Sequence, residues 1–134
     1  VNRQKKIFPE NKGRWQEFGH YGERIALEFL EKEGYRILEK NYRCQLGEID
    51  LIARDKNIIA FIEIKSRQGL SFGSPQEAVT HHKQRQIVKV ALYYLKQKHL
   101  LKDRLLFRFD VVSISPEGIE LIKDAFSSPA GYTY

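Results

Sequence analysis

The sequence holds a single cysteine, Cys44, so no internal disulfide can form and a cysteine-rich zinc site is excluded by count. One unpaired thiol fits a reducing compartment, and we expect a cytoplasmic protein. The four histidines, His20, His81, His82 and His99, lack the tight spacing of a zinc-binding helix. None lies near Cys44 in sequence, which leaves that thiol without the base a catalytic nucleophile needs. No apolar run approaches the ~18–20 residues of a membrane span. The opening residues, Val1 to Lys6, have no apolar stretch of the kind a secretory signal carries. Internal repeats and low-complexity segments are also missing.

Positive charge is what the chain has in excess. Lysine and arginine number 23 against 17 acids, a net of +6 and a pI near 9.4. The excess is unevenly placed. Arg3, Lys5, Lys6, Lys12 and Arg14 face only Glu10 within residues 1–14. Lys83, Arg85, Lys89, Lys96, Lys98, Lys102 and Arg104 face only Asp103 within residues 81–104. The stretch between them is nearly neutral and rich in acids. A basic balance points to a polyanion. A basic rim around an acidic centre favours nucleic acid over a membrane surface.

A chain of 134 residues with 42% hydrophobic content suits one globular domain with its own core. Phe18, Tyr21, Ile25, Ala26, Phe29 and Leu30 recur at helical spacing over residues 15–33, and Gly34 follows as a stop. Strands are expected over 35–42, 48–54 and 58–67. The second alternates, with Ile49, Leu51 and Ala53 on one face and Glu48, Asp50 and Ile52 on the other. Asp55-Lys56-Asn57 is turn-like and joins strands two and three as an antiparallel hairpin. Gln68 to Ser74 reads as a glycine-containing loop able to move over a substrate. Ser74-Pro75-Gln76-Glu77 resembles a capping box opening a long helix that ends near Lys98. Two more strands, 105–115 and 119–122, flank the turn at Pro116-Glu117-Gly118. The expected fold is α/β, one domain in the order α-β-β-β-α-β-β, with a central mixed sheet flanked by helices. Residues 1–14 would be a mobile basic arm, 15–126 the domain and 127–134 an irregular tail.

Strands two and three carry charges where apolar residues are expected. Asp50 interrupts one, and Glu63 and Lys65 interrupt Phe61-Ile62-Glu63-Ile64-Lys65 in the other. Period-two alternation puts Glu63 and Lys65 on one face. Buried charges cost several kcal/mol unless paired or metal-bound. Asp50, Glu63 and the Ile64 carbonyl could ligate a divalent metal, with water completing an Mg²⁺ octahedron. Lys65 could then orient or deprotonate an attacking water and stabilise charge developing on a phosphate. A salt bridge that only fixes strand register is the plain alternative.

The pattern resembles the PD-(D/E)xK motif of the restriction-endonuclease-like superfamily, although Ile49 and not proline precedes Asp50. Gly47 to Ala53, Phe61 to Arg67, Phe72-Gly73-Ser74-Pro75 and Arg108 to Val112 are similar to the YraN-like family, itself similar in fold to Holliday-junction resolvases. This resemblance covers roughly residues 15–125. It implies a metal-dependent endonuclease using Mg²⁺ or Mn²⁺ on DNA, including branched DNA. It also implies that a glutamate on the first helix completes the metal shell. Glu23 matches by position, and a surface-paired glutamate is the alternative reading. Resolvase-like nucleases often dimerise, which leaves a homodimer open.

Related nucleases place polar residues beside the active site on the second helix. Lys83, Gln84, Arg85, Gln86 and Lys89 are the candidates here, with Arg67 after the motif. Helical phase from Ile87 and Ala91 turns Lys83 nearer the core than Gln84, a solvated face is the favoured alternative for the two glutamines, and Arg67 equally suits a surface strand end. Asp110 is a second acid in an apolar strand, and Arg108 is its nearest expected partner. With no base-reading motif, recognition should follow backbone and shape. The competing function is a nucleic-acid-binding module with this fold and little or no activity, acting in a repair or recombination assembly. A third option is an interaction domain whose basic faces meet an acidic protein.

Overall fold

The structure, a computed structural model, describes residues 15–66, 79–101 and 105–127, with side chains from residue 21 onward. Its elements run α1 (Trp15–Lys32), β1 (Arg36–Cys44), β2 (Gly47–Asp55), β3 (Ile58–Ser66), α2 (His81–Gln97), β4 (Leu106–Ser115) and β5 (Gly118–Phe126). The five strands form one sheet in sequence order. β3 and β4 are parallel and the other neighbours antiparallel. A parallel pair needs a crossover, and α2 lies within it. The expected order and mixed sheet are both present.

Two apolar clusters cover the two faces of the sheet. Ile59 and Phe61 of β3 and Phe109 and Val111 of β4 pack with Ile87, Val88, Val90, Ala91, Tyr94 and Leu95 of α2. The alternate residues Ala60, Ile62, Val112 and Ile114 pack with Ala26 and Leu30 of α1. Burial on both faces explains why β3 and β4 read as nearly continuous apolar runs. Phe61 centres an aromatic group, edge-on to Tyr94 and Phe107 and 5.8 Å from Phe109.

Local chemistry sets the helix ends. Gly34, at φ 94°, closes α1: its N–H donates to Glu31 O, and Tyr35 N–H donates to Leu30 O. This is the double-bonded glycine stop that the sequence suggests. At α2 the expectation fails. Val79 and Thr80 are not helical, and Thr80 is the N-cap, its hydroxyl accepting from Lys83 N–H at 3.2 Å. The capping box at Ser74–Glu77, the loop 68–74, the arm 1–14 and tail residues 128–134 lie outside the described residues.

Two strand expectations also need correction. β5 runs to Phe126 and does not end at Ile122, because Asp124 N–H donates to buried Asp110 Oδ1 at 2.9 Å across a bulge. Phe126 then stacks on Phe109 at 5.0 Å. In β2, Leu51 and Ala53 share the α1-side cluster, but Ile49 packs on the α2 side. The simple alternation therefore breaks at Asp50.

Candidate functional site

The β2–β3 ladder runs from Asp55↔Ile58 to Leu51↔Ile62. Asp50 and Glu63 occupy the next opposed positions. There the Ile64 N–H donates to Asp50 Oδ2 at 2.8 Å, so a side chain takes the bond where regular pairing stops. Glu63 is only 6% exposed. Lys65 Nζ stands 3.7 Å from Glu63 Oε1, an ion pair longer than a good hydrogen bond. Asp50, Glu63 and Lys65 therefore meet at one end of β2 and β3, and the shared face of Glu63 and Lys65 is the one alternation anticipates.

Burial pushes the Glu63 carboxyl up to about 7, and the adjacent Asp50 charge adds to the rise. Lys83 and Lys65 oppose it. Asp50 is also raised by burial, against the Ile64 N–H and the charge of Lys83, with a small raising effect from Glu23. Two carboxylates in a dry site resist joint ionisation. Lysines on two elements reduce the repulsion without removing it.

α2 brings Lys83 to this pair from its first turn. Lys83 is half-buried, whereas His81, His82, Arg85 and Lys89 are exposed. Gln84 Nε2 donates to Val79 O at 2.9 Å, which ties that amide to the segment before the helix. Gln86 lies over the start of β2: a Cβ on Gly47 would meet its Nε2 at 2.7 Å. Gly47, at φ 141°, allows both the turn and this close approach. On the other face Gly22 lets α1 approach the end of β3, where a Cβ would stand 3.0 Å from Ser66 Oγ. Glu23 is the next residue of α1.

Of the sequence candidates, Asp50, Glu63, Ile64, Lys65 and Lys83 come together. Glu23 lies within electrostatic reach of Asp50, but among the described residues no three His, Cys, Asp or Glu side chains stand close enough to hold a metal. Arg67 lies outside the described residues. Glu48 pairs with Arg43 at 2.9 Å on the exposed β1–β2 edge. The available ligands are hard oxygens, two carboxylates and a backbone carbonyl. Such a set suits Mg²⁺ or Mn²⁺, which bind through one or two carboxylates and keep water or phosphate on the other positions.

Asp110 belongs to a separate assembly. Arg108 Nε donates to Asp110 Oδ1 at 2.8 Å, and its Nη2 donates to Asp55 Oδ2 at 2.7 Å and to Tyr35 Oη at 2.8 Å. Tyr35 Oη donates to Asp110 Oδ2 at 2.9 Å, and Lys123 Nζ reaches Asp55 at 3.2 Å. The Arg108–Asp110 pairing was legible from spacing. The Asp55 share was not, because a turn aspartate ordinarily faces water.

No helix among the described residues is long and apolar enough to cross a membrane. A family model described as "Uncharacterised protein family UPF0102" matches residues 22–114. A UPF0102 protein of Syntrophus aciditrophicus is 54% identical over 117 residues, covering 84% of this chain and 91% of its own length. One from Caldicellulosiruptor bescii is 49% identical, covering 83% and 98%, and one from Clostridium botulinum (strain Loch Maree) is 46% identical, covering 83% and 94%. A match across most of the domain, at such identities to relatives of nearly the same length, makes the chain a member of the YraN-like family UPF0102.

Proposed function

We propose that the chain is a metal-dependent endonuclease of the restriction-endonuclease-like type, hydrolysing phosphodiester bonds in DNA with little sequence specificity. One observation carries this reading: half-buried Asp50 and buried Glu63 stand side by side on adjacent strands, and both carboxyls stay harder to ionise than usual despite the neighbouring lysines. A purely structural pair is normally matched by cations until its charge is satisfied. This one keeps a place for more positive charge.

Asp50, Glu63 and the Ile64 carbonyl would hold Mg²⁺ or Mn²⁺. The ion would supply Lewis acidity toward a phosphate oxygen and lower the pKa of a bound water. The Ile64 N–H fixes the Asp50 carboxylate through Oδ2. Lys65, beside Glu63, would orient the attacking water or, in its neutral form, deprotonate it. Lys83 adds positive charge from the α2 side, where a phosphate would approach.

The test is cleavage of linear, flapped, single-stranded and four-way DNA with Mg²⁺ or Mn²⁺, beside a Glu63→Ala control. The expected result is metal-dependent nicking that falls at least ~10²-fold in Glu63→Ala. Cleavage persisting in that variant would place the activity elsewhere. Binding by the wild type without cleavage under either metal would instead identify a nucleic-acid-binding module. The acid-free sequence of α2 fits both outcomes.

A further inference from the structure

The outer face of α2 ends in a groove of about 380 Å³ lined by Tyr93, Lys96, Gln97 and His99. We propose that this groove binds an unpaired nucleotide of a nucleic-acid strand whose phosphates follow Arg85, Lys89 and Lys96. The inference rests on the nucleic-acid reading above, though not on cleavage.

Charge supplies the first reason. The α2 sequence His81–Gln97 contains no acid, and Arg85, Lys89 and Lys96 are all exposed. At 3.6 residues per turn these three fall within about 40° of one another, a stripe about 16 Å long. Among the described residues, none of them has a carboxylate partner in an ion pair. Lys98, just past the helix, does: it stands 4.0 Å from Glu39. The stripe is thus available to phosphates, and it runs along the exposed side of α2 to the groove, with Lys83 on the opposite side toward the carboxylates.

The groove's chemistry supplies the second. Its volume lies in the range of small-molecule pockets. It offers an aromatic ring, an ammonium, a carboxamide and an imidazole, and no carboxylate. A ring stacks on any base, and an amide can donate to and accept from a base edge. Tyr94 makes edge-on contacts with Tyr42 and Phe61, whereas Tyr93 enters none of the ring pairs formed among the described residues. Stacking on Tyr93 needs an open base face, which selects unpaired strands over duplex.

The backbone adds a third reason. His99 takes the left-handed position that ends α2, at φ 54°, with its N–H donating to Lys96 O and Leu100 N–H donating to Leu95 O. Glycine fits that position without strain, yet an imidazole stands there and lines the groove.

Fluorescence anisotropy of the full chain decides the matter, using a labelled single strand of about 12 nucleotides and a blunt duplex of the same length. The wild type should bind the single strand more tightly. Tyr93→Ala should weaken that binding ~10-fold or more, leave duplex binding within about 3-fold, and be rescued by Tyr93→Phe. Lys96→Ala should reduce the slope of log affinity against log salt by about 1. If Tyr93→Ala binds both probes as the wild type does, the groove assignment is wrong and the nucleic-acid reading stands. Wild-type protein that binds neither probe overturns both. Polyglutamate of matched charge displacing the strand equally well would make the groove an acidic-polymer site and overturn the nucleotide assignment.

Discussion

The molecule sets acids into its sheet in two places, one matched by close cations and one not. Asp110 and Asp55 meet Arg108, Tyr35, Lys123 and the Asp124 N–H, each within 3.2 Å. Asp50 and Glu63 share a hydrogen bond with each other, and otherwise meet one N–H at 2.8 Å, one lysine at 3.7 Å and the more distant charge of Lys83. The consequences are opposite. The Arg108 bond holds the Asp55 carboxyl below its ordinary value, while burial raises both Glu63 and Asp50, and the Asp50 charge adds to the rise at Glu63. Asp50 and Asp55 stand five positions apart on β2, so the contrast comes from their neighbours and not from depth in the sheet alone. The first region is built to hold the fold. The second carries the proposed cation site.

The largest effect should come from breaking the satisfied region. Arg108→Met would leave Asp110, which is fully buried, without its guanidinium. Removing one partner of a buried pair costs about 3–5 kcal/mol. Denaturant titration should show a loss of that size, independent of Mg²⁺. A loss below ~1 kcal/mol would mean that the network is not a structural anchor and would dissolve the contrast.

The next effect reverses the sign. Burial raises the Glu63 carboxyl from 4.5 to about 7, so between those values the folded chain keeps a proton that the unfolded chain has released. Stability from this group is fully present below about pH 4.5 and is lost as pH rises toward 7. The loss is on the order of 2–3 kcal/mol for the metal-free chain. Asp55 runs the other way: its depressed value contributes stability above the ordinary carboxylate range that is lost as pH falls. Glu63→Gln should therefore raise metal-free stability at pH 8 and abolish stabilisation by added Mg²⁺. Thermal melts at pH 5 and pH 8, with and without Mg²⁺, check both. A Glu63→Gln chain less stable than wild type at pH 8 without metal would show that the pair is a structural bridge.

The same contrast explains what the sequence could show. Charges inside apolar strands flagged Asp50, Glu63, Lys65 and Asp110 alike, because alternation needs only neighbours along the chain. Gly34 and the Asp55–Asn57 turn were legible for the same local reason. What was hidden depends on distant partners. The length of β5 follows from Asp110 taking the Asp124 N–H, and the role of Asp55 follows from Arg108. Ile49 changes face where β2 leaves its ladder with β3, which no period-two pattern can express. The start of α2 at His81 was hidden too, six residues later than the proline signal suggests, whereas the inward turn of Lys83 follows from helical phase alone.

A smaller effect should follow at the glycine where α2 meets β2. Gly47→Ala imposes a positive φ on an L-residue and crowds Gln86, a cost of about 1–2 kcal/mol. Gln86→Ala should cost less than ~1 kcal/mol, and combining the two should relieve only the crowding. Hydrogen exchange should locate the change near Asp50 and leave Asp110 untouched. Uniform loosening of both regions would mean that they are one cooperative unit.

The smallest effect tests whether α2 positions Lys83. Thr80→Ala removes the hydroxyl that accepts from Lys83 N–H, a loss of about 1 kcal/mol for an N-cap of this type. The change lies far in sequence from both carboxylates and should leave the Arg108 network intact. If Lys83 tempers the carboxylate pair, fraying its turn should raise the Glu63 carboxyl further, visible as an upward shift in its side-chain NMR titration. Thr80→Ser, which keeps the acceptor, should restore both stability and titration. A titration unchanged in Thr80→Ala, with the expected loss of stability, would separate the cap from the site and leave Lys65 as the lysine that matters there.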